Sequence, residues 1–329
     1  MQAWVVENLT AAGTMALRDI PVPQPAGDAC LLRVEAAGVN FLDTLMLRGQ
    51  YQVKPKLPFT PGIEVVGTVV EPGPDSPYAA GERIAAMVDL GGYAEYALVP
   101  RLASARVPED MTIRDAAGLP IVYPTAFVAL RHRAQLQAGE TVLVHAGAGG
   151  VGSAAIQLAK HWGARVIATA GGAAKVALCR QLGADAAIDY RAEPLAEAVR
   201  RETGGCGVDV VIDPVGGEVT RDSLRALAWG GRLVIVGFAG GSIPELPANR
   251  LLLKNAAALG VYWGAYRDHH PDIVATVFRE IFDLHRAGVI RPLVRDVFRL
   301  DQAEHALAAI AARETVGKVV LLPFGENAP

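Results

Sequence analysis

One short run, Gly147-Ala-Gly149-Gly-Val-Gly152, restricts this chain more than any other part of it. It follows the apolar stretch Val142-Leu-Val-His145 and precedes a helical pattern from Val151 to Trp162, so the glycines stand where a strand turns directly into a helix. The first glycine permits the tight turn. The second lets backbone N–H groups approach a pyrophosphate, and the third lets the helix pack on the strand. The helix then presents the positive end of its dipole to the phosphates. A plain turn would not need three glycines at this spacing, because each adds chain entropy that folding must overcome.

The surroundings of the loop supply its context. From Thr141 onward apolar strands alternate with Ala-rich helical stretches. The sequence predicts strands at Thr141 to His145, Arg165 to Thr169, Ala186 to Asp189, Val208 to Asp213, Arg232 to Val236 and Ala256 to Val261. It predicts helices at Val151 to Trp162 and Ala173 to Leu182, and near Glu193 to Glu202 and Glu218 to Ala228. Such alternation gives an α/β Rossmann fold, a doubly wound parallel sheet of six strands. Residues 1–122 read differently, with short β-like runs such as Cys30-Leu-Leu-Arg-Val-Glu separated by Pro/Gly turns. With 329 residues, more than one core usually serves, the expected division is a mostly β domain over 1–122 and a nucleotide domain over 123–264. Residues 265–329, carrying a helix at Asp272 to Ala287, another near Gln302 to Ala312 and a last strand at Lys318 to Leu322, should return to the first domain.

Composition removes other classes of partner. Lys and Arg number 31 against 34 for Asp and Glu, a net charge of −3, which offers nucleic acid no general attraction. Three scattered cysteines, Cys30, Cys179 and Cys206, cannot make a disulfide framework or a four-thiolate metal site. The longest uncharged apolar stretch, around Leu233 to Pro244, is about half the length a membrane helix needs. The opening residues lack the flanks of a signal peptide, so a cytoplasmic protein with no membrane role is the expectation.

The choice of dinucleotide falls at the end of the second strand of the alternating region, Ile167-Ala-Thr-Ala-Gly171-Gly-Ala-Ala-Lys175. An NAD site there offers a carboxylate to the ribose 2′-hydroxyl. This loop has no acid, and Lys175 adds a positive charge, which together favour the 2′-phosphate of NADPH.

With these residues in hand, the chain resembles the medium-chain dehydrogenase/reductase superfamily, with its GroES-like catalytic domain. It is most similar to the zinc-free branch of NADPH:quinone reductases related to zeta-crystallin. The resemblance rests on Ala36-Ala-Gly-Val-Asn-Phe-Leu-Asp43, Pro61-Gly-Ile-Glu-Val-Val-Gly67, Gly91-Gly-Tyr-Ala-Glu-Tyr96, the glycine loop, Asp213-Pro-Val-Gly-Gly217 and Gly317-Lys-Val-Val-Leu. It implies that Asn40, Asp43 and Thr125 lie near the nicotinamide and that Tyr51 is a substrate-side aromatic and candidate proton donor. Gly150 and Val151 should meet the pyrophosphate, Lys175 and Tyr190 the 2′-phosphate, and Phe238 and Lys318 further parts of the cofactor. It also places zinc ligands of the metal-dependent members where this chain has Asn40 and Ile63, so no metal site is expected.

Without a Lewis acid the acceptor must spread the incoming charge itself, as quinones and α,β-unsaturated carbonyls do. The expected function is NADPH-dependent quinone reduction, with reduction of activated C=C bonds in enones or enoyl thioesters as the alternative. A binding role without catalysis is a third reading, which the net charge disfavours for nucleic acid. The resemblance further implies a homodimer formed through the sixth strand of the sheet, Asn255 to Trp263. Several residues also have structural readings. Asn40 suits a helix cap with Asp43 in the first turn, Tyr51 a surface aromatic and Glu64 an ion pair. His145 suits a packed position, His269-His270 the surface, and Cys206 a turn.

Overall fold

The Pro- and Gly-rich N-terminal third folds as β-structure in the computed structural model, which describes residues 1–324. Its strands are β1 (Gln2–Val5), β2 (Ala16–Asp19), β3 (Cys30–Val39), β4 (Glu64–Pro72), β5 (Arg83–Met87), β6 (Tyr96–Val99) and β7 (Ser104–Arg106). The alternating region gives β8 (Thr141–Val144), β9 (Arg165–Ala170), β10 (Ala186–Asp189), β11 (Val208–Asp213), β12 (Leu227–Ile235) and β13 (Ala257–Gly260). Two strands follow, β14 (Val294–Arg299) and β15 (Lys318–Leu322).

Two units emerge. The first comprises Met1–Ile121, Gly264–Arg286 and the chain from Arg291; the second comprises Val122–Trp263 with Ala287–Ile290. In the first, seven strands form one sheet in the order β14-β15-β3-β4-β5-β7, with β6 also pairing with β3. The late strand β15 slots antiparallel against β3, Val319 opposite Val39, while β4 lies on the other side with Val65 opposite Ala37. The end of β3 is thereby flanked by the start of β4 and the start of β15. Trp4 Nε1–H donates to the Leu300 carbonyl at 2.6 Å, joining the two ends of the chain within this core.

The second unit holds a six-stranded sheet in the order β10-β9-β8-β11-β12-β13, parallel throughout. Strand order reverses between β8 and β11, the place where doubly wound sheets open to ligands. The glycine loop leaves β8, so it opens beside that reversal.

Three local readings change. Strand β12 begins at Leu227 rather than Arg232, because Leu227 pairs with Val208 across a register shift and the preceding helix, Gly217–Ala226, stops short of it. A helix at Ala248–Lys254 occupies a stretch in which the sequence shows no periodicity; no residue of it is buried, so no apolar stripe marks it. Strand β13 is only four residues long, since Asn255 closes that helix in the left-handed region and Trp263 starts a 3₁₀ turn.

Candidate functional site

In the second unit, crowding explains the first and last glycines of the loop. A Cβ at Gly147 would stand 2.8 Å from Cys179 Sγ and 3.0 Å from the Ala168 methyl, and one at Gly152 would overlap the Ala146 carbonyl. Only bare backbone lets the helix Gly150–His161 start this close to β8. Gly149 is its N-cap and no side chain caps its first turn. The cradle therefore fits a dinucleotide pyrophosphate: a gap a side chain would fill, lined by backbone donors at a positive helix end. Gly147, Gly149, Gly150, Val151 and Gly152 would hold it.

Strands β9 and β10 end level, Asp189 opposite Ala170, so the turns that follow them lie side by side. Asp189 Oδ1 accepts the N–H of Gly172 at 3.1 Å and that of Arg191 at 3.0 Å, tying Gly171-Gly172 to Tyr190-Arg191. These bonds hold the Asp189 carboxyl below its ordinary value. Gly171 packs beneath Tyr190: a Cβ there would be 2.6 Å from the Tyr190 hydroxyl. Lys175 sits in the first turn of the helix Ala173–Gln181, partly exposed. At the other side of the sheet, buried Asp213 accepts from the Val215 and Gly216 N–H groups at 2.8 and 3.0 Å and from the Thr220 hydroxyl at 2.5 Å. Phe238, in the segment after β12, packs onto that turn: its ring edge would lie 2.9 Å from a Cβ at Gly216. Thr125 is buried in the helix Val122–Phe127, which continues into the π-helical turn Val128–Arg133.

In the first unit a charged cluster closes the end of β3. Asn40 Nδ2 donates to Glu64 Oε1 at 2.7 Å, and its Oδ1 accepts from Lys318 Nζ at 2.6 Å. Lys318 also forms an ion pair with Glu64 Oε1, with both side chains buried. Register produces this meeting, since Lys318 starts β15 opposite the end of β3 and Glu64 starts β4 on the other flank. Gly38 makes it possible, because a Cβ there would overlap the Glu64 carboxylate.

Beneath lies Asp43, 0% exposed. Its Oδ2 accepts from the Tyr93 hydroxyl at 2.6 Å and from the Asn40 backbone N–H at 2.8 Å. Burial pushes the Asp43 carboxyl up to about 6, against the pull of the Tyr93 and Asn40 donors. Burial, and then the neighbouring Asp43, keep the Tyr93 phenol well above its ordinary value, so it remains a donor. Asp43 Oδ1 and Glu64 Oε2 are buried with no hydrogen-bond partner.

Asn40 is thus at the helix start, but its side chain does not cap the helix Phe41–Leu47. Asp43 reaches back to the Asn40 N–H instead, which leaves both ends of the Asn40 amide to Glu64 and Lys318. Tyr51 packs, half-buried, against the core of the same unit. Asn40, Asp43 and Lys318 therefore come together, whereas Thr125, the glycine loop, Gly171, Lys175, Tyr190 and Phe238 belong to the second unit. Tyr93 and Arg191 escaped sequence reasoning. Tyr93 stands in the quoted Gly91 to Tyr96 motif, but no local pattern links it to Asp43, fifty residues away.

His145 is a packed residue. Its Nε2 lies 2.7 Å from Ser223 Oγ and its Nδ1 3.0 Å from Thr169 Oγ1. Ser223 gives its own proton to the Val219 carbonyl, so it accepts from Nε2–H, and burial lowers the imidazole pKa. His145 is neutral with both nitrogens satisfied. Glu64 is ion-paired, Cys206 is exposed in a turn, and His269 and His270 are exposed. Among the described residues no helix is long and apolar enough to cross a membrane, and no group of three or more His, Cys, Asp or Glu could hold a metal ion.

Comparison with known proteins matches residues 26–109 to the alcohol dehydrogenase GroES-like domain and residues 150–279 to the family described as zinc-binding dehydrogenase. A quinone oxidoreductase-like protein 2 from Rattus norvegicus is 42% identical over 302 residues, covering 91% of this chain and 86% of that protein. A quinone oxidoreductase from Sus scrofa is 33% identical, covering 92% of each chain. The Escherichia coli quinone oxidoreductase solved in complex with NADPH superposes with a TM-score of 0.92 at 28% identity, covering 98% of this chain and 100% of that one.

Proposed function

Because the chain belongs to the quinone oxidoreductase family of the medium-chain dehydrogenases/reductases, we propose that it reduces quinones with NADPH and does so without a metal ion. That it is an NADPH-dependent oxidoreductase follows from its family and its NADPH-bound neighbours; quinone as acceptor and independence from zinc are the further steps. NADPH, when bound, supplies a hydride.

The observation that carries the metal-free reading is the environment of Asn40. The position that holds a cysteine ligand in metal-dependent members is occupied by an amide clamped between an ammonium and a carboxylate. A cation at this position would have to displace Lys318 from its buried pair with Glu64, against Coulomb repulsion strengthened by burial. Without a Lewis acid, Asn40 can offer at most hydrogen bonds to developing charge, a weaker aid that suits acceptors able to delocalise it. Thr125 and Tyr51 are proposed as further contacts with cofactor and acceptor. For the cofactor, the acid-free Gly171–Lys175 segment supports NADPH over NADH.

A steady-state survey of quinones, enones and enoyl thioesters with NADPH tests the acceptor, run before and after prolonged chelation. Quinone turnover that survives chelation is expected. Efficient reduction of enones with none of quinones would transfer the activity to activated C=C bonds, and stoichiometric zinc whose removal abolishes activity would overturn the metal-free reading. Changing Lys175 to Ala should weaken NADPH about ten-fold or more and leave NADH unchanged.

A homodimer through β13 belongs to the same proposal. The outer edge of β13 is unpaired among the described residues, and an uncharged edge strand invites a twin. Leu259→Lys should shift the mass measured by light scattering toward the monomer; a monomeric wild type at micromolar concentration would refute the dimer.

A further inference from the structure

The turn after β10 carries a cation that the sequence pattern does not single out. Arg191 follows Tyr190 directly, and its backbone is fixed by the Asp189 carboxylate, which takes the N–H of Arg191 and that of Gly172 on the same oxygen. Its side chain then lies back across Gly171: a Cβ built on that glycine would stand 2.9 Å from Arg191 Nε. At Gly172 such an atom would stand 3.9 Å from Arg191 Nη1. The guanidinium is therefore held over the Gly171-Gly172 turn. It is exposed, and it lies near enough to Asp189 to help hold that carboxyl below its ordinary value.

Two features make this placement selective. The turn beneath Arg191 is the acid-free segment, so no carboxylate of residues 170–174 competes for the guanidinium. The two acids nearest in sequence are engaged elsewhere: Asp189 accepts two backbone N–H groups at Oδ1, and Glu193 is ion-paired with Arg201. Lys175, four residues beyond Gly171, adds a second cation at the head of the following helix. Arg presents a planar fork that matches two oxygens of a phosphate, which a lysine cannot do.

We propose that Arg191 is a specificity-determining residue that grips the 2′-phosphate of NADPH from above the Gly171-Gly172 turn, with Lys175 as its partner. This rests on the reading of the protein as NADPH-dependent. Because Arg191 grips a group absent from NADH, its removal discriminates between the two cofactors, and Lys, which keeps the charge but loses the fork, restores only part of the affinity.

The test is calorimetric titration of the whole protein with NADPH, NADH, adenosine 2′,5′-bisphosphate and 5′-AMP, which reads binding independently of turnover. Arg191→Ala should weaken NADPH and the bisphosphate about ten-fold or more and leave NADH and 5′-AMP within about two-fold. Arg191→Lys should recover part of the loss, and Arg191→Glu should bring NADPH affinity to or below that of NADH. Since the side chain is exposed, the variants should keep the wild-type melting temperature. If wild-type protein prefers NADPH but Arg191→Ala keeps that preference, or loses both cofactors equally, the assignment of Arg191 fails alone. If wild-type protein binds NADH as tightly as NADPH, the cofactor reading fails and the proposal with it.

Discussion

Each unit buries a polar network, and the two follow opposite designs. In the second unit His145, Thr169 and Ser223 are all uncharged, and each ring nitrogen of His145 has a partner. In the first, two carboxylates and one ammonium share the end of β3, and Asp43 Oδ1 and Glu64 Oε2 go unpartnered. A neutral, satisfied network holds β8, β9 and the helix Gly217–Ala226 together at little cost. A charged and incompletely satisfied one is expensive to bury. Its persistence marks the place where this fold gives up stability to hold specific groups, Asn40 above all.

The sharpest way to break this contrast is to remove a charge from one network and a hydrogen bond from the other. Lys318→Met leaves Glu64 buried without its counter-charge and should cost about 3–5 kcal/mol in urea unfolding. Ser223→Ala should cost about 1–3 kcal/mol, the loss of one buried partner. Equal costs would show that charge does not distinguish the two.

The networks should also respond to acid with opposite signs. The Asp43 carboxyl titrates at about 6 in the folded chain against 3.8 ordinarily, so the folded state binds its proton more tightly. The stability it contributes is complete below about pH 4 and is lost as pH rises through about 6, roughly 3 kcal/mol in all. The His145 imidazole is lowered from 6.5, so its contribution is complete above that value and is lost as pH falls below it. Melting temperatures from pH 4 to 8 should show Asp43→Asn steepening the loss in acid. A variant with an unchanged pH profile would place Asp43 at its ordinary pKa and remove the contrast.

Asn40→Ala sharpens the same contrast through kinetics. Turnover should fall about ten-fold, about 1.4 kcal/mol in the barrier, with NADPH affinity kept. A loss of stability with kinetics intact would return Asn40 to a structural role. The smallest effect is expected for His145→Gln, about 1 kcal/mol at neutral pH, together with a flatter response below pH 6.5. Any large fall in turnover would mean that the neutral network also serves the reaction.

What could be read in the sequence divides along the same line. The glycine loop was legible because its spacing is local: Gly152 stands where a Cβ would strike Ala146 and Gly147 a few residues back, within one strand-to-helix turn. The alternating strands and helices were legible for the same reason. The charged cluster was not, because sheet register brings Lys318 to Asn40 across 278 residues, and the loop before β6 brings Tyr93 to Asp43 across 50. Asn40 and Asp43 were singled out as a helix start, yet their capping roles are exchanged, since a partner distant in sequence claims the Asn40 amide. The helix Ala248–Lys254 was hidden by its exposure, with Leu252 at 79% and Leu253 at 71% leaving no buried face to set a period.

The position of β15 between β14 and β3 governs the order in which the protein can be made. The second unit is nearly contiguous in the chain, so most of its contacts can form once residue 263 has left the ribosome. The first unit must wait, because its sheet lacks a central strand until Lys318 to Leu322 are synthesised. During that interval the Ala37–Val39 end of β3 is an open edge and the Glu64 carboxylate has no Lys318 ammonium beside it. Vectorial synthesis therefore leaves a long-range, high-contact-order closure for last. That closing step sets the ion pair, orders the Asn40 amide and removes the open β3 edge together.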